Sequence, residues 1–152
     1  MKNLVFIVED DRLQQKFLRH HFEEALGSYT VKTYINPDEV IADLPEKPFA
    51  IVLDHLFLDR KETGLHYLEI IKKQSPHTPV IYHTTSVDSE IRAQAIKGGV
   101  MEFIVKDESS LVRLRMVLDA IHKKNIVKPG FFEKLLKFFG LKNKETAKSA
   151  RP

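Results

Sequence analysis

The sequence predicts an α/β domain in which five short strands form a doubly wound parallel sheet covered by helices on both faces. Two observations carry that prediction. Short apolar runs, too brief for helices, alternate with segments whose apolar residues recur at helical spacing. The runs are also apolar at successive positions, as in strands buried on both faces. A third observation locates the chemistry. Four of the runs end abruptly in polar side chains: residues 4–8 in Glu9-Asp10-Asp11, 49–53 in Asp54, 80–83 in Thr84-Thr85, and 103–105 in Lys106.

Taken in order, the first strand covers residues 4–8. A helix follows, in which Leu13, Phe17, Leu18, Phe22 and Leu26 share the helical period and Gly27 supplies the stop. Residues 29–34 (Tyr-Thr-Val-Lys-Thr-Tyr) are β-branched and aromatic and read as the second strand. Asn36-Pro37 is an N-cap with proline at the first helical position, ahead of a Val40, Ile41 and Leu44 stripe. Pro45 and Pro48 bracket the return to the third strand, which ends at Asp54. A loop, apolar at its start and charged at its tip, leads to a helix over about 65–73 that buries Leu65, Leu68 and Ile71. Pro76 and Pro79 frame the turn into the fourth strand. Ser86 to Ser89 open a helix through Ile91, Ala95 and Ile96, closed by Gly98-Gly99. After the fifth strand, Ser109-Ser110 cap a helix with Leu111, Leu114, Leu118 and Ile121 inside.

A chain of 152 residues, 43% hydrophobic and 30% charged, suits one globular domain plus an appendage. The absence of cysteine excludes disulfides and cysteine-based zinc or redox chemistry. The first apolar run is too short for a signal peptide or membrane span, so the expected compartment is the cytoplasm. Residues 1–122 carry 15 Lys and Arg against 19 Asp and Glu, whereas 123–152 carry 9 against 2. The overall charge of +3 therefore comes from a basic tail on a mildly acidic body.

Right-handed crossovers place the carboxyl ends of all five strands on one edge, where open α/β sheets bind ligands. Glu9, Asp10 and Asp54 would meet there. Like charges about 4 Å apart repel by roughly 4 kcal/mol at an effective dielectric near 20, so such a cluster needs counter-charge. Lys106 supplies one unit. An all-oxygen ligand set favours Mg²⁺ for the remainder. The same set can bind a phosphoryl group, with Asp54 as the nucleophile that forms an acyl phosphate. Each element also has a plain structural reading: Asp10 or Asp11 as the cap of the first helix, Thr84 or Thr85 as the cap of the fourth.

Over about residues 1–124 the chain closely resembles the receiver domain of two-component response regulators, a flavodoxin-like fold. The resemblance rests on Glu9-Asp10, the strand ending at Asp54, Thr84, and Phe103-Ile104-Val105-Lys106. It implies that Asp54 accepts phosphate from a histidine kinase or histidine phosphotransfer protein. It implies Mg²⁺ held by Asp10, Asp54 and the backbone carbonyl of Leu56, with Glu9 acting largely through water. Thr84 and Lys106 would bind the phosphoryl oxygens, and Thr84 and Phe103 would form the switch. Two departures stand out. The family pattern has a proline after the acceptor and a glycine about eight residues on, whereas here no proline intervenes and Gly64 lies ten beyond. The lysine is usually followed by proline, often after a cis bond, whereas here Asp107 follows and a trans bond is expected.

Seven histidines, His20, His21, His55, His66, His77, His83 and His122, show no metal-ligand spacing with cysteine partners and read mostly as surface or half-buried residues. His55 and His83 adjoin Asp54 and Thr84 and are positioned to shape access to the phosphoryl site. Residues 125–152 form a basic extension containing an amphipathic helix at about 130–140. Phe131, Phe132, Leu135, Phe138 and Phe139 line its apolar arc. That arc fits the parent domain or a second copy in a homodimer, a partner's groove, or an anionic membrane surface. No DNA-reading module is evident, so output through protein contacts is expected, with no direct DNA binding. The chain is thus read as a single-domain switch that catalyses only its own phosphoryl transfer and dephosphorylation. Rival readings are an unphosphorylated docking module and an aspartate-based phosphatase. Leu56 stands where the phosphatase would want its second aspartate.

Overall fold

The computed structural model describes residues 2–123. The expected C-terminal helix and its apolar arc lie outside them. The elements follow in the predicted order: β1 Asn3–Val8, α1 Arg12–His20, β2 Tyr29–Tyr34, α2 Pro37–Asp43, β3 Ala50–Leu53, α3 Gly64–Gln74, β4 Val80–Thr84, α4 Ser89–Lys97, β5 Glu102–Val105 and α5 Ser110–His122. A wide turn, His21–Ala25, prolongs α1, and a tight turn, Leu44–Glu46, ends α2. All neighbouring strands are parallel, in the order β2-β1-β3-β4-β5.

Successive residues of each inner strand point into two cores. Phe6, Val8, Ile51, Leu53, Val80, Tyr82, Phe103 and Val105 join Leu68, Ile71 and Ala95 of α3 and α4 on one face. Val5, Ile7, Ala50, Val52, Ile81 and Ile104 join Leu18, Leu114, Val117 and Leu118 of α1 and α5 on the other. Unbroken apolar runs were therefore the correct signal, because either face would lose about 1.5–3 kcal/mol for each large side chain left in water.

Local caps explain most boundaries. The Asp11 carboxylate accepts the amides of Leu13 and Gln14, Asn36 accepts that of Asp38, and Asp88 accepts those of Glu90 and Ile91. Gly27 takes the left-handed φ of 65° that ends the first helical segment.

Two expectations are corrected. Leu13 and Phe17, assigned to the buried stripe of α1, are 76% and 57% exposed. Leu18 and Phe22 are buried in the core and Leu26 packs partly buried against it, because helix orientation is set by packing against β1, β2 and α5, not by the periodicity of α1 itself. Ser109 precedes α5 but makes no capping bond from its side chain. Its hydroxyl donates to Asp107, whose carboxylate also accepts the Ser109 amide and a bond from Arg113.

Candidate functional site

The reversal of strand order puts β1 and β3 side by side at the centre of the sheet, and their carboxyl ends open into one crevice. Glu9 and Asp10 follow β1 and Asp54 follows β3. Their carboxylate oxygens lie within 4.8 Å of one another. Glu9 and Asp54 are buried, whereas Asp10 is half-exposed. Because Asp11 occupies the cap of α1, Asp10 is left to face the crevice, where its Oδ2 accepts the Leu58 amide at 2.5 Å.

Lys106, just past β5, spans the cluster. Its Nζ donates to Glu9 Oε2 at 2.5 Å and to Asp54 Oδ2 at 2.8 Å. Burial penalises the charged amine, yet the Asp54 and Glu9 carboxylates hold its pKa above the ordinary lysine value. Glu9 moves the other way from a normal carboxylate. Burial first, and then the charge on Asp54, push it up to about 7 despite the Lys106 bond. Two acids and one ammonium thus leave an unbalanced negative charge in a buried place. That is the electrostatic condition a divalent cation relieves, and the donor set is all oxygen.

Thr84 ends β4 and is buried, its Oγ1 accepting the Ser86 amide at 3.2 Å. Since Asp88 caps α4, the capping role weighed for Thr84 and Thr85 falls away. Leu56 lies two residues beyond Asp54 in the β3–α3 loop with its side chain 63% exposed. Phe103 is buried in β5, its ring stacked on Tyr82 at 5.5 Å between centroids.

The two departures from the family pattern have local causes. No cis peptide occurs among the described residues, so the bond after Lys106 is trans as expected. Asp107, in place of proline, is held by Arg113, which also donates to the Val105 carbonyl; both side chains are almost fully buried. The longer β3–α3 loop turns at Asp59, φ 60°, and is tied down by Arg60. That guanidinium bonds Asp38 Oδ2 and the Tyr67 hydroxyl through one nitrogen and Asn36 Oδ1 through the other.

Sequence reasoning underrated two residues and did not single out a third. His55 and His83 are buried rather than half-exposed, and Tyr82 bonds the ring of His55. The clue was available: a histidine and a tyrosine inside apolar strand ends need partners when buried.

The chain spans a fifth to a quarter of the length of the first curated relatives it matches. It is 32% identical over 116 residues to the methanogenesis regulatory protein FilR1 of Methanothrix harundinacea, covering 72% of this chain and 25% of that one. It is 31% identical over 103 residues to a putative response regulator, NtrX-like, of Rickettsia felis, covering 67% and 21%. Among solved structures, the signal receiver domain of a modulated diguanylate cyclase from Desulfovibrio desulfuricans superposes with a TM-score of 0.69 at 25% identity, over 82% of this chain and 97% of that one. The family model of the response regulator receiver domain matches residues 5–119. Those residues run from β1 into the last turns of α5 and so include the whole crevice, and the chain belongs to the response regulator receiver domain family.

Proposed function

We propose that this chain is a response regulator receiver that takes a phosphoryl group onto Asp54 with Mg²⁺ and signals through protein contacts. Residues 1–124 are the receiver and 125–152 a basic extension. The observation that carries the reading is the Lys106 ammonium joined to both Glu9 and Asp54 in a crevice with surplus negative charge. Asp10, Asp54 and the Leu56 carbonyl would hold Mg²⁺, with Glu9 behind a bound water. When bound, the ion would neutralise charge on the transferring phosphoryl oxygens.

Asp54 is aligned for the reaction by the His55 amide, which donates to Oδ1 at 2.7 Å, and by Lys106 on Oδ2. One carboxylate oxygen attacks phosphorus as the bond to the donor, a phosphohistidine of a histidine kinase or phosphotransfer protein, breaks. The departing imidazole leaves with the electron pair and takes a proton from water. Lys106 then turns from Asp54 to the new phosphoryl oxygens, and Thr84 donates its hydroxyl to another. The added charge of about −1.5 to −2 draws Thr84, and Phe103 follows on the same face of the sheet. Water later cleaves the acyl phosphate and returns inorganic phosphate. The chain turns over no other substrate, works in the cytoplasm, and binds no DNA itself.

The test is intact mass after incubation with Mg²⁺ and acetyl phosphate, beside Asp54→Asn. One phosphate gained by the parent and absent from the variant supports the reading. No gain under any donor points instead to an unphosphorylated docking module, and steady release of phosphate from unrelated esters to a phosphatase.

A further inference from the structure

The longer loop after Asp54 ends in an arrangement that reaches the switch aromatic by a second route. The Tyr82 hydroxyl, wholly buried, lies 2.6 Å from Nδ1 of His55. The same oxygen lies against the first turn of α3, where a Cβ on Gly64 would come within 2.7 Å of it. The phenol and the imidazole, both buried, thus satisfy one another. The backbone of His55 is fixed as well: its amide donates to Asp54 Oδ1 at 2.7 Å and its carbonyl accepts the Gly64 amide at 2.7 Å.

Gly64 closes this knot. A Cβ there would lie 2.0 Å from the Asp54 carbonyl oxygen and 2.7 Å from the Tyr82 hydroxyl, so the start of α3 presses directly on the phosphoacceptor's backbone. Thr63 gives α3 no capping bond from its side chain. The Gly64 amide at the helix start is met instead by the His55 carbonyl, which is how a loop longer than the family pattern still delivers α3 in place. On its other side the Tyr82 ring is stacked on Phe103, 5.5 Å between centroids and 21° between planes.

We propose that Tyr82 is a positioning residue: its hydroxyl holds the Asp54–His55 segment through the His55 imidazole, and its ring passes movement of that segment to Phe103. Asp54, His55, Tyr82 and Phe103 thus form an unbroken chain of one peptide bond, one hydrogen bond and one ring stack. It runs beside the route through Thr84 and is independent of that hydroxyl. The inference rests on the phosphoacceptor reading above. In the unphosphorylated protein the stack keeps Phe103 inside. A phosphoryl group on Asp54 must reorganise the oxygen that the His55 amide holds, and the imidazole transmits the shift to the Tyr82 hydroxyl.

The experiment uses the full chain with Mg²⁺ and beryllofluoride as the acyl-phosphate mimic, reading the NMR resonances of the Phe103 ring. Tyr82→Phe keeps the ring and removes the link. His55→Ala removes it from the other side. Tyr34→Phe, which deletes an equally buried tyrosine's hydroxyl bond to Asp43, is the structural control. Phosphate uptake by mass should stay within about twofold of the parent in Tyr82→Phe and Tyr34→Phe, since Lys106 and the acids are untouched. The beryllofluoride-induced shift of Phe103 should fall below about half in Tyr82→Phe and His55→Ala, no further in the double variant, and stay whole in Tyr34→Phe. A full shift in Tyr82→Phe, or an additive loss in the double variant, overturns the link while leaving the phosphoacceptor reading intact. Absence of uptake in the parent overturns both.

Discussion

Asp10 and Asp11 are adjacent, alike and differently used. Asp11 spends both of its bonds on the first turn of α1, and only because it does so is Asp10 available to the crevice. The sequence offered either residue as the cap, and backbone geometry made the choice. His83 shows how burial changes a residue's chemistry. It is enclosed beneath α1 and α5, its Nε2 lacks a hydrogen-bond partner, and its pKa is pushed down to about 3 by burial, then by the charges of Lys106 and Arg113. The folded protein keeps it neutral, whereas the unfolded chain takes up a proton near pH 6.5. Its contribution to stability is therefore complete above about pH 6.5 and is lost progressively as the pH falls toward 3, by up to about 1.4 kcal/mol per unit. Glu9, raised to about 7, has the opposite sign, since folding gains as pH falls from about 7 toward 4.5. The two are separated by urea unfolding at pH 7.5 and 5 for the parent and for His83→Leu. The parent should lose about 1–2 kcal/mol relative to the variant over that interval, and parallel curves would refute the assignment.

At the scale of elements, the turn between β5 and α5 rewards a close look. Asp107 replaces a proline of the family pattern and serves as its substitute. It holds the turn by accepting from Ser109 twice and from Arg113 once, and Arg113 in turn anchors Val105 at the end of β5. The carboxylate is kept below the ordinary Asp range although burial works against it, because the Ser109 bonds and the Arg113 charge outweigh desolvation. Asp107→Ala would strand a buried guanidinium and should cost about 3–5 kcal/mol in denaturant unfolding, far more than a surface ion pair. A cost under about 1 kcal/mol would mean that Arg113 finds another partner. Helix α1 illustrates the limit of periodicity. Leu13, Phe17, Leu18 and Phe22 share a helical rhythm, yet only the last two are buried, because the stripe is broader than the groove that receives it.

For the molecule as a whole, the crevice is a product of strand order. β1 and β3 deliver their acids to one place only because β2 lies outside β1 and β4 outside β3. If the acids hold Mg²⁺ as proposed, the ion binds the folded state alone. At about ten times its dissociation constant it should then stabilise the chain by roughly 1.4 kcal/mol, seen as a rise in melting temperature. Calcium-free MgCl₂ titrations of the parent and Asp54→Asn would measure this. An equal rise in both would place the ion elsewhere. The fold also leaves Leu13, Phe17, Leu56 and Leu58 exposed, with Leu56 and Leu58 on the loop that carries the crevice wall.

By itself the sequence determined the class of the fold, the order of its elements and the residues at the strand ends. Unbroken apolar runs suit only a strand buried on both faces, and chirality allows few ways of joining five of them. It could not decide which of two adjacent aspartates would cap a helix, which side of α1 would meet the sheet, or that Tyr82 would bond His55 and stack on Phe103. Those outcomes depend on contacts between residues far apart in the chain. Each is a competition among partners of similar local merit, settled by the space that packing leaves.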